Sequence, residues 1–368
     1  MIIWKIGFII QGEGRGHQTQ AVALSEILVK NGHKVVFALA GTADIKKQSV
    51  LLKNCPNFEV LPFLSPSLAY NQKTKELSIL KTVTDSLPRL PQYLKSLKVI
   101  KNMVETYQPD VIVNFYDFLG GIFSGFLNRF DVPVVCIGHQ YLLLNSVFEY
   151  PQNQRLDRFF VNFNTKITSL KADKMLALSF RKFWSEKNIH TVPPLLRSEL
   201  KLQEVYNENF ILVYVTQPEL ITDVITQCKL YPEENFEMFV DLKDDIMLPA
   251  NLKINPISNS LFLERMAACK GLISTAGFES VCEAMYLSKP VMMVPVKNHY
   301  EQKCNAFDGE MSGAGIFSEN IDFGKFLNYL KSDKYQSKNH RKWFDQTESM
   351  FLNELESLVN RENLTIQR

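Results

Sequence analysis

The sequence predicts an α/β protein of two doubly wound domains, each a parallel sheet with helices on both faces. Three observations predict it. The strand-like segments are continuous apolar runs rather than alternating ones, the pattern of strands buried on both faces. Amphipathic helical stretches separate most of them, as crossover connections require. The series runs twice along a chain of 368 residues that is 46% hydrophobic, too long for one ordinary core. Two domains imply a cleft between them. The expected division is residues 1–196, 197–338 and 339–368, the last piece a helix packing back on the first domain.

Residues 3–10 are an isoleucine-rich apolar run, followed by Gly12, Gly14 and Gly16 and by an amphipathic stretch with Ala21, Leu24, Ile27 and Leu28 that ends near Gly32. That order reads as strand, tight loop, helix. Apolar runs at 34–39, 58–63, 110–115 and 133–138 continue the first sheet. Pro193 and Pro194 within the segment 190–196, with the charged run 201–209 after it, predict a linker. Runs at 210–215, 237–242, 252–257, 271–275 and 290–295 build a second sheet, with helical stretches such as 261–269 between them. A charged amphipathic helix over 339–363 closes the chain.

The charge balance removes several function classes. Lys and Arg number 41 against 39 Asp and Glu, a net charge of +2, which is not the footprint of a protein that neutralises a phosphate backbone, so no nucleic-acid partner is expected. The six cysteines are dispersed, without a C-x-x-C pair or a Cys/His cluster, and predict reduced buried thiols rather than disulfides or a metal site. The apolar opening is short and runs into a glycine loop, so it reads as a first strand and not as an export signal. No window approaches the roughly 18 uninterrupted apolar residues of a membrane span. A cytoplasmic protein is the expectation. The segment Lys75–Met103 interleaves leucines with lysines and arginine and suits either a core-facing helix with a basic wet side or peripheral contact with the inner face of a membrane.

Chemistry concentrates in two segments. In residues 273–306 a strand ends at Thr275, a turn carries Ala276 and Gly277, and a helix begins near Phe278, with Glu279 and Ser280 in its first turn. Unpaired backbone N–H groups and the positive helix end then face an anion, a pyrophosphate above all, at the carboxyl end of a parallel strand. Glu283 follows about one turn after Glu279, and its two acceptor oxygens suit the paired hydroxyls of a ribose. The plain alternative is an ordinary tight turn before a solvated helix. In residues 11–17 the glycine loop with Gly14, Arg15 and Gly16 ends in His17, whose neutral imidazole suits proton abstraction near pH 7. His17 could equally be a helix-terminal residue with a structural hydrogen bond. Asp117, just past the run 110–115, is the leading candidate to orient it, against a simple loop cap. Gln140 ends another strand at the same edge and is a candidate acceptor contact.

The pattern Gly277, Ser280, Glu283, Pro290, Pro295, Glu301, Gln302, Asn305 resembles the donor-binding signature of GT-B glycosyltransferases, both the MurG-like and the UDP-glycosyltransferase families. The glycine loop followed by His17 is similar to the loop and histidine of both. The resemblance implies two Rossmann-like domains facing each other across a cleft. It implies that Glu283 holds the donor ribose, that Glu301 and Gln302 bond hydroxyls of the donor sugar, that Asn305 lies beside the phosphates, and that the Gly14–Gly16 loop touches them. Some relatives carry an aspartate where Phe115 aligns, a departure that bears on the His17–Asp117 pairing.

The expected reaction is metal-independent, inverting transfer of a sugar from a nucleotide-diphosphate donor, a UDP-sugar because uracil is the base most relatives use, to a small-molecule, glycan or lipid-linked acceptor. No D-x-D triplet occurs, so no metal ligand and no cofactor beyond the co-substrate is expected, and the helix end would stabilise the leaving diphosphate. The competing readings are a UDP-sugar 2-epimerase, for which the additional cleft acids are not identifiable, and a non-catalytic nucleotide-sugar-binding protein.

Overall fold

In a computed structural model the chain forms two compact units. The structure describes residues 2–46, 49–66, 84, 87–152, 154–215, 217, 219–241, 247–332, 334, 335 and 340–365. Unit 1 comprises Met1–Phe148, Gln154–Arg197 and Asp345–Arg368, and unit 2 comprises Glu149–Asn153 and Ser198–Phe344.

Unit 1 is built on β1 (Lys5–Gln11), α1 (Gly16–Lys30), β2 (Lys34–Thr42), α2 (Val50–Lys53), β3 (Val60–Leu64), α3 (Leu90–Tyr107), β4 (Val111–Phe115), α4 (Phe118–Ile122), β5 (Val134–Gly138), α5 (Arg155–Thr168), β6 (Lys174–Leu178) and β7 (Ile189–Val192). Its sheet has the order β3-β2-β1-β4-β5-β6-β7, every pair parallel. The strand order reverses between β1 and β4, and at such a switch point a crevice opens beyond the carboxyl ends of the strands. Ile6, Phe8, Ile9 and Ile10 of β1 are fully buried, as the unbroken apolar run requires of a central strand.

Unit 2 contains β8 (Phe210–Tyr214), α6 (Glu219–Leu230), β9 (Asn235–Phe239), β10 (Leu252–Asn255), α7 (Asn259–Ala268), β11 (Gly271–Ser274), α8 (Phe278–Tyr286), β12 (Val291–Met293), α9 (Tyr300–Met311), β13 (Gly315–Phe317), α10 (Phe323–Lys331) and α11 (His340–Phe344). Its parallel sheet has the order β10-β9-β8-β11-β12-β13, with the switch point between β8 and β11.

Three strands escape the sequence reading. β6 and β13 are short, and β7 overlaps the start of the segment taken as a linker. Pro193 and Pro194 follow β7 rather than interrupt it, so the edge strand forms and they end it. The last stretch is two helices and not one. α11 belongs to unit 2, while α12 (Thr347–Thr365) belongs to unit 1. Phe351, Leu355, Leu358 and Val359 give α12 one buried stripe. Lys174 of β6, nearly buried, reaches Glu354 at 2.5 Å, and Glu354 also meets His190 Nδ1 at 2.9 Å. Lys30 Nζ donates to Glu348 at 2.6 Å and ties α12 to α1 as well. Of the segment Lys75–Met103, residues 75–83, 85 and 86 lie outside the described residues; the rest enters α3, which buries Tyr93, Leu97, Ile100 and Val104.

Candidate functional site

The unit 1 site gathers at the carboxyl edge of the first sheet, beside its switch point. β1 ends at Gln11, and the loop through Gly14, at φ +80°, carries the chain to Gly16 and into α1. α1 starts without a side-chain cap or an acidic residue in its first turn, so its N–H groups and positive end stay directed outward. Arg15 stands exposed at that end.

His17 is 9% exposed and held on three sides. Its Nδ1 lies 3.2 Å from Gln20 Oε1, one turn along α1. An amide oxygen only accepts, so Nδ1 carries the proton and Nε2 keeps a lone pair. Gln140 Nε2, in the turn after β5, donates to that lone pair at 3.3 Å. The ring stacks on Tyr116 with centroids 5.4 Å apart and planes at 14°. Burial drives the imidazole from 6.5 down to about 4, against a smaller upward pull from the Gln20 hydrogen bond. His17 is therefore neutral at neutral pH, with its lone pair on Nε2. His139 beside Gln140 is used structurally, its Nδ1 bonded to Leu178 O at 2.7 Å.

Asp117 does not orient His17. Its Oδ1 accepts from Gly120 N at 2.9 Å and caps α4, while Asn114 Oδ1 accepts from its backbone N–H at 3.0 Å. Its other oxygen is directed at β2, where a Cβ added to Gly41 would stand 2.1 Å from it. Burial raises the carboxyl from 3.8 to about 6, against downward pulls from Gly120, Ser65 and Leu119. The orienting role falls to Gln20 because α1 places a residue three positions on above the ring, whereas Asp117 is turned inward to close its own helix. Phe115 is a fully buried core residue against Phe8.

Tyr116, between them, was not singled out by sequence. Its φ of +60° is unusual for an aromatic residue, and its hydroxyl is paired with Thr165 Oγ1 at 2.7 Å. The backbone excursion aims the ring beneath His17. Gln20 did leave a sequence signal, since a polar residue three positions beyond a helix-terminal histidine shares its face.

In unit 2 the second constellation sits at the switch point between β8 and β11. After Thr275 the chain takes φ +57° at Ala276 and φ −67° at Gly277, the N-cap of α8, which makes no side-chain cap bond. The strained position thus holds an alanine and the unstrained one the glycine. A Cβ on Gly277 would meet only Ser280 Oγ, at 3.7 Å. Neither backbone nor packing demands glycine there, which leaves open space before the helix end as the feature it preserves.

Ser280 Oγ donates to Gly277 O at 3.1 Å and pairs with Ser274 Oγ at 3.0 Å, so it braces the turn. Phe278 is buried and Glu279 half-buried, the one acidic residue of the first turn. Glu283 is buried at 3% exposure. Burial first, then the charges of Glu279, Glu283 and Asp308, push the Cys282 thiol well above its ordinary range, so these carboxylates gather around one spot on α8.

α9 joins this turn through Asn305, whose Nδ2 donates to Ala276 O at 3.1 Å. Asn305 Oδ1 is buried without a hydrogen-bond partner. Glu301 and Gln302 lie one turn earlier on the same helix, half-buried. Gln302 Oε1 accepts from Val296 N at 2.8 Å and shapes the loop ahead of α9. Hydrogen bonds therefore join Ser274, Gly277 and Ser280 within the turn and tie Ala276 to Asn305, while the Thr275 N–H donates to Tyr214 O at 3.3 Å. Among the described residues no group of three or more His, Cys, Asp or Glu side chains is placed to hold a metal ion, and no helix is long and apolar enough to cross a membrane.

The profile of glycosyl transferase family 1 matches residues 4–332. The chain belongs to that family. It is a glycosyltransferase with two parallel-sheet α/β domains of the GT-B kind. A protein of Methanosarcina acetivorans named as an uncharacterized glycosyltransferase is 23% identical over 354 residues, covering 89% of this chain and 84% of the relative. The UDP-N-acetylglucosamine--N-acetylmuramyl-(pentapeptide) pyrophosphoryl-undecaprenol N-acetylglucosamine transferase of Leuconostoc mesenteroides is 20% identical over 313 residues, 78% of each chain. Among solved structures, Phytolacca americana UGT2 with UDP-2-fluoro-glucose and pterostilbene superposes with a TM-score of 0.68 at 13% identity, covering 97% of this chain and 99% of that one.

Proposed function

We propose that this glycosyltransferase moves a sugar from a UDP-linked donor to an acceptor hydroxyl with inversion and without a metal ion. The observation that carries the reading is Gly277, a glycine required by neither conformation nor packing at an uncapped helix end on a switch point. There a diphosphate can approach the backbone N–H groups of α8 directly, and the helix end supplies the positive potential a divalent cation would otherwise provide. Glu279 adds a competing negative charge at that end, which leaves the backbone N–H groups of α8 as the favourable partners. Glu283 accepts from the ribose hydroxyls, Glu301 and Gln302 from the sugar, and Asn305 holds Ala276 in its strained conformation beside the phosphates.

His17 Nε2 takes the acceptor proton as the acceptor oxygen bonds to the anomeric carbon and the bond from that carbon to the diphosphate oxygen breaks, releasing UDP. Gln140 occupies Nε2 in this structure, so the acceptor hydroxyl displaces its N–H or shares it, and Gln140 becomes an acceptor contact. Asp117 supports the base through the loop it caps rather than by touching it. The acceptor class covers small molecules, glycans and lipid-linked sugars. The Leuconostoc relative's name specifies a lipid-linked acceptor and the Phytolacca structure holds pterostilbene. Cytoplasmic action, with contact to the inner membrane face where the acceptor is lipid-borne, belongs to the same reading.

Titration calorimetry with UDP, GDP and dTDP tests the donor site without an acceptor. UDP should bind best, Glu283→Gln should weaken it about tenfold, roughly 1.4 kcal/mol, and 2′,3′-dideoxy-UDP should erase the difference between the two proteins. Equal binding of UDP and dideoxy-UDP by the wild type would remove Glu283 from the ribose. His17→Ala should keep UDP affinity while abolishing UDP release with an acceptor panel. Conversion of UDP-GlcNAc alone into its epimer would favour epimerisation instead.

A further inference from the structure

Helix α5 turns the usual amphipathic arrangement inside out. Its inward face is polar. Thr165 and Thr168 are fully buried, with Thr165 Oγ1 paired to Tyr116 and Thr168 Oγ1 accepting from the Tyr141 hydroxyl at 3.1 Å. Its outward face is apolar. Leu156 is 75% exposed, Phe159 60% and Phe163 54%, and Phe159 stacks on Phe163 with centroids 6.1 Å apart. At about 100° per residue these three fall on one stripe with Phe160, opposite Thr165. A core-facing helix keeps its apolar stripe inward, so this one holds an apolar surface toward something outside unit 1.

The surroundings select the partner. Arg155 and Lys166 border the stripe on the helix wheel, and the exposed charges of α5 are Arg155, Arg158 and Lys166 against Asp157 alone. α5 runs antiparallel to the strands it connects, so its first turns lie at the carboxyl edge of the sheet, the edge that carries His17. The loop between β6 and β7 at that edge presents Trp184 at 85% exposure, and Asn145 Nδ2 fastens it by donating to Trp184 O at 2.8 Å. Exposed Lys182 and Lys187 flank the tryptophan. Aromatic rings with basic neighbours on a convex helix face suit the headgroup layer of an anionic bilayer better than a small soluble molecule, which needs enclosing walls.

We propose that this flank of unit 1, the Leu156–Phe159–Phe163 stripe with Trp184, seats on an anionic lipid surface. The proposal deepens the membrane contact of the proposed function and depends on neither its donor nor its base.

Flotation of the full chain with vesicles of phosphatidylcholine alone, or mixed with phosphatidylglycerol, tests it. The wild type should float with the mixed vesicles and lose at least about tenfold in binding on pure phosphatidylcholine or in high salt. A variant combining Leu156→Ser, Phe159→Ser, Phe163→Ser and Trp184→Ser should stay in the dense fraction while retaining the wild-type melting curve and UDP affinity. A second variant, Arg155→Glu with Lys166→Glu, should lose selectivity for the anionic vesicles. Absence of wild-type flotation overturns the proposal, as does flotation of the serine variant at the wild-type level. A wild-type dimer in light scattering that the serine variant converts to monomer would assign the face to a second copy and overturn it equally.

Discussion

Replacing Gln20 by glutamate tests whether the base is set by the contacts around His17. In the wild type the imidazole is buried and neutral, with its pKa moved from 6.5 to about 4. That shift amounts to roughly 3 kcal/mol against the charged ring. Gln20 Oε1 lies 3.2 Å from Nδ1, so a carboxylate there would attract an imidazolium by about 5 kcal/mol at an effective dielectric of ~20. Part of that gain is lost to burying the carboxylate, which leaves an expected rise of about 2 pKa units or more. The assay is NMR titration with isotope-labelled histidine, the His17 signal being the one of six that His17→Gln removes. It should titrate near pH 4 in the wild type and above 6 in Gln20→Glu. A wild-type value near 6.5, or a glutamate variant that leaves it unmoved, refutes the argument. The same shift bears on stability. The unfolded chain binds this proton at higher pH than the native one, so the contribution is complete above pH 6.5 and lost as pH falls through about 4.

Gly277→Val should fold with a melting temperature close to the wild type, since the site's φ suits any residue, yet should bind UDP at least tenfold more weakly, about 1.4 kcal/mol; calorimetry showing unchanged affinity would mean the space before α8 is not a diphosphate site. Asp117→Asn keeps an amide oxygen for Gly120 and removes a carboxylate whose pKa is raised to about 6. Because that raised group withdraws stability as pH climbs from 3.8 through about 6, urea unfolding should find the variant up to about 3 kcal/mol more stable at pH 8 and about half that, roughly 1.5 kcal/mol, at pH 5. A loss of stability at pH 8 would show that the charge itself is needed. Glu354→Ala leaves the nearly buried Lys174 without its carboxylate and should cost about 3 kcal/mol in urea unfolding, whereas an unchanged midpoint would mean α12 is held by its apolar stripe alone.

Sequence legibility followed the range of each interaction. β1, α1 and the turn from β11 into α8 were readable because apolar runs, glycines and helix starts are local signals. β7 was missed because the two prolines beyond it dominate a short window, although an edge strand tolerates them at its end. The closing stretch was read as one helix because its amphipathic pattern continues across Asp345, where the chain in fact passes from unit 2 to unit 1. Asp117 illustrates the limit within the site. Its position past β4 was correct, but whether a carboxylate points at a histidine or caps its own helix depends on a neighbour's φ, and Tyr116 at +60° carries no sequence mark.

The sequence by itself determined the two parallel sheets, the helix end at Gly277 and the glycine loop leading to His17, since each follows from the properties of neighbouring residues. Only the tertiary structure decided which nitrogen of His17 carries the lone pair, because Gln20 reaches the ring from α1 while Tyr116 and Gln140 reach it from the turns after β4 and β5, strands that sheet pairing sets successively beside β1. It alone showed that α5 turns its phenylalanines outward, since periodicity identifies an apolar stripe without saying which way the fold will rotate it.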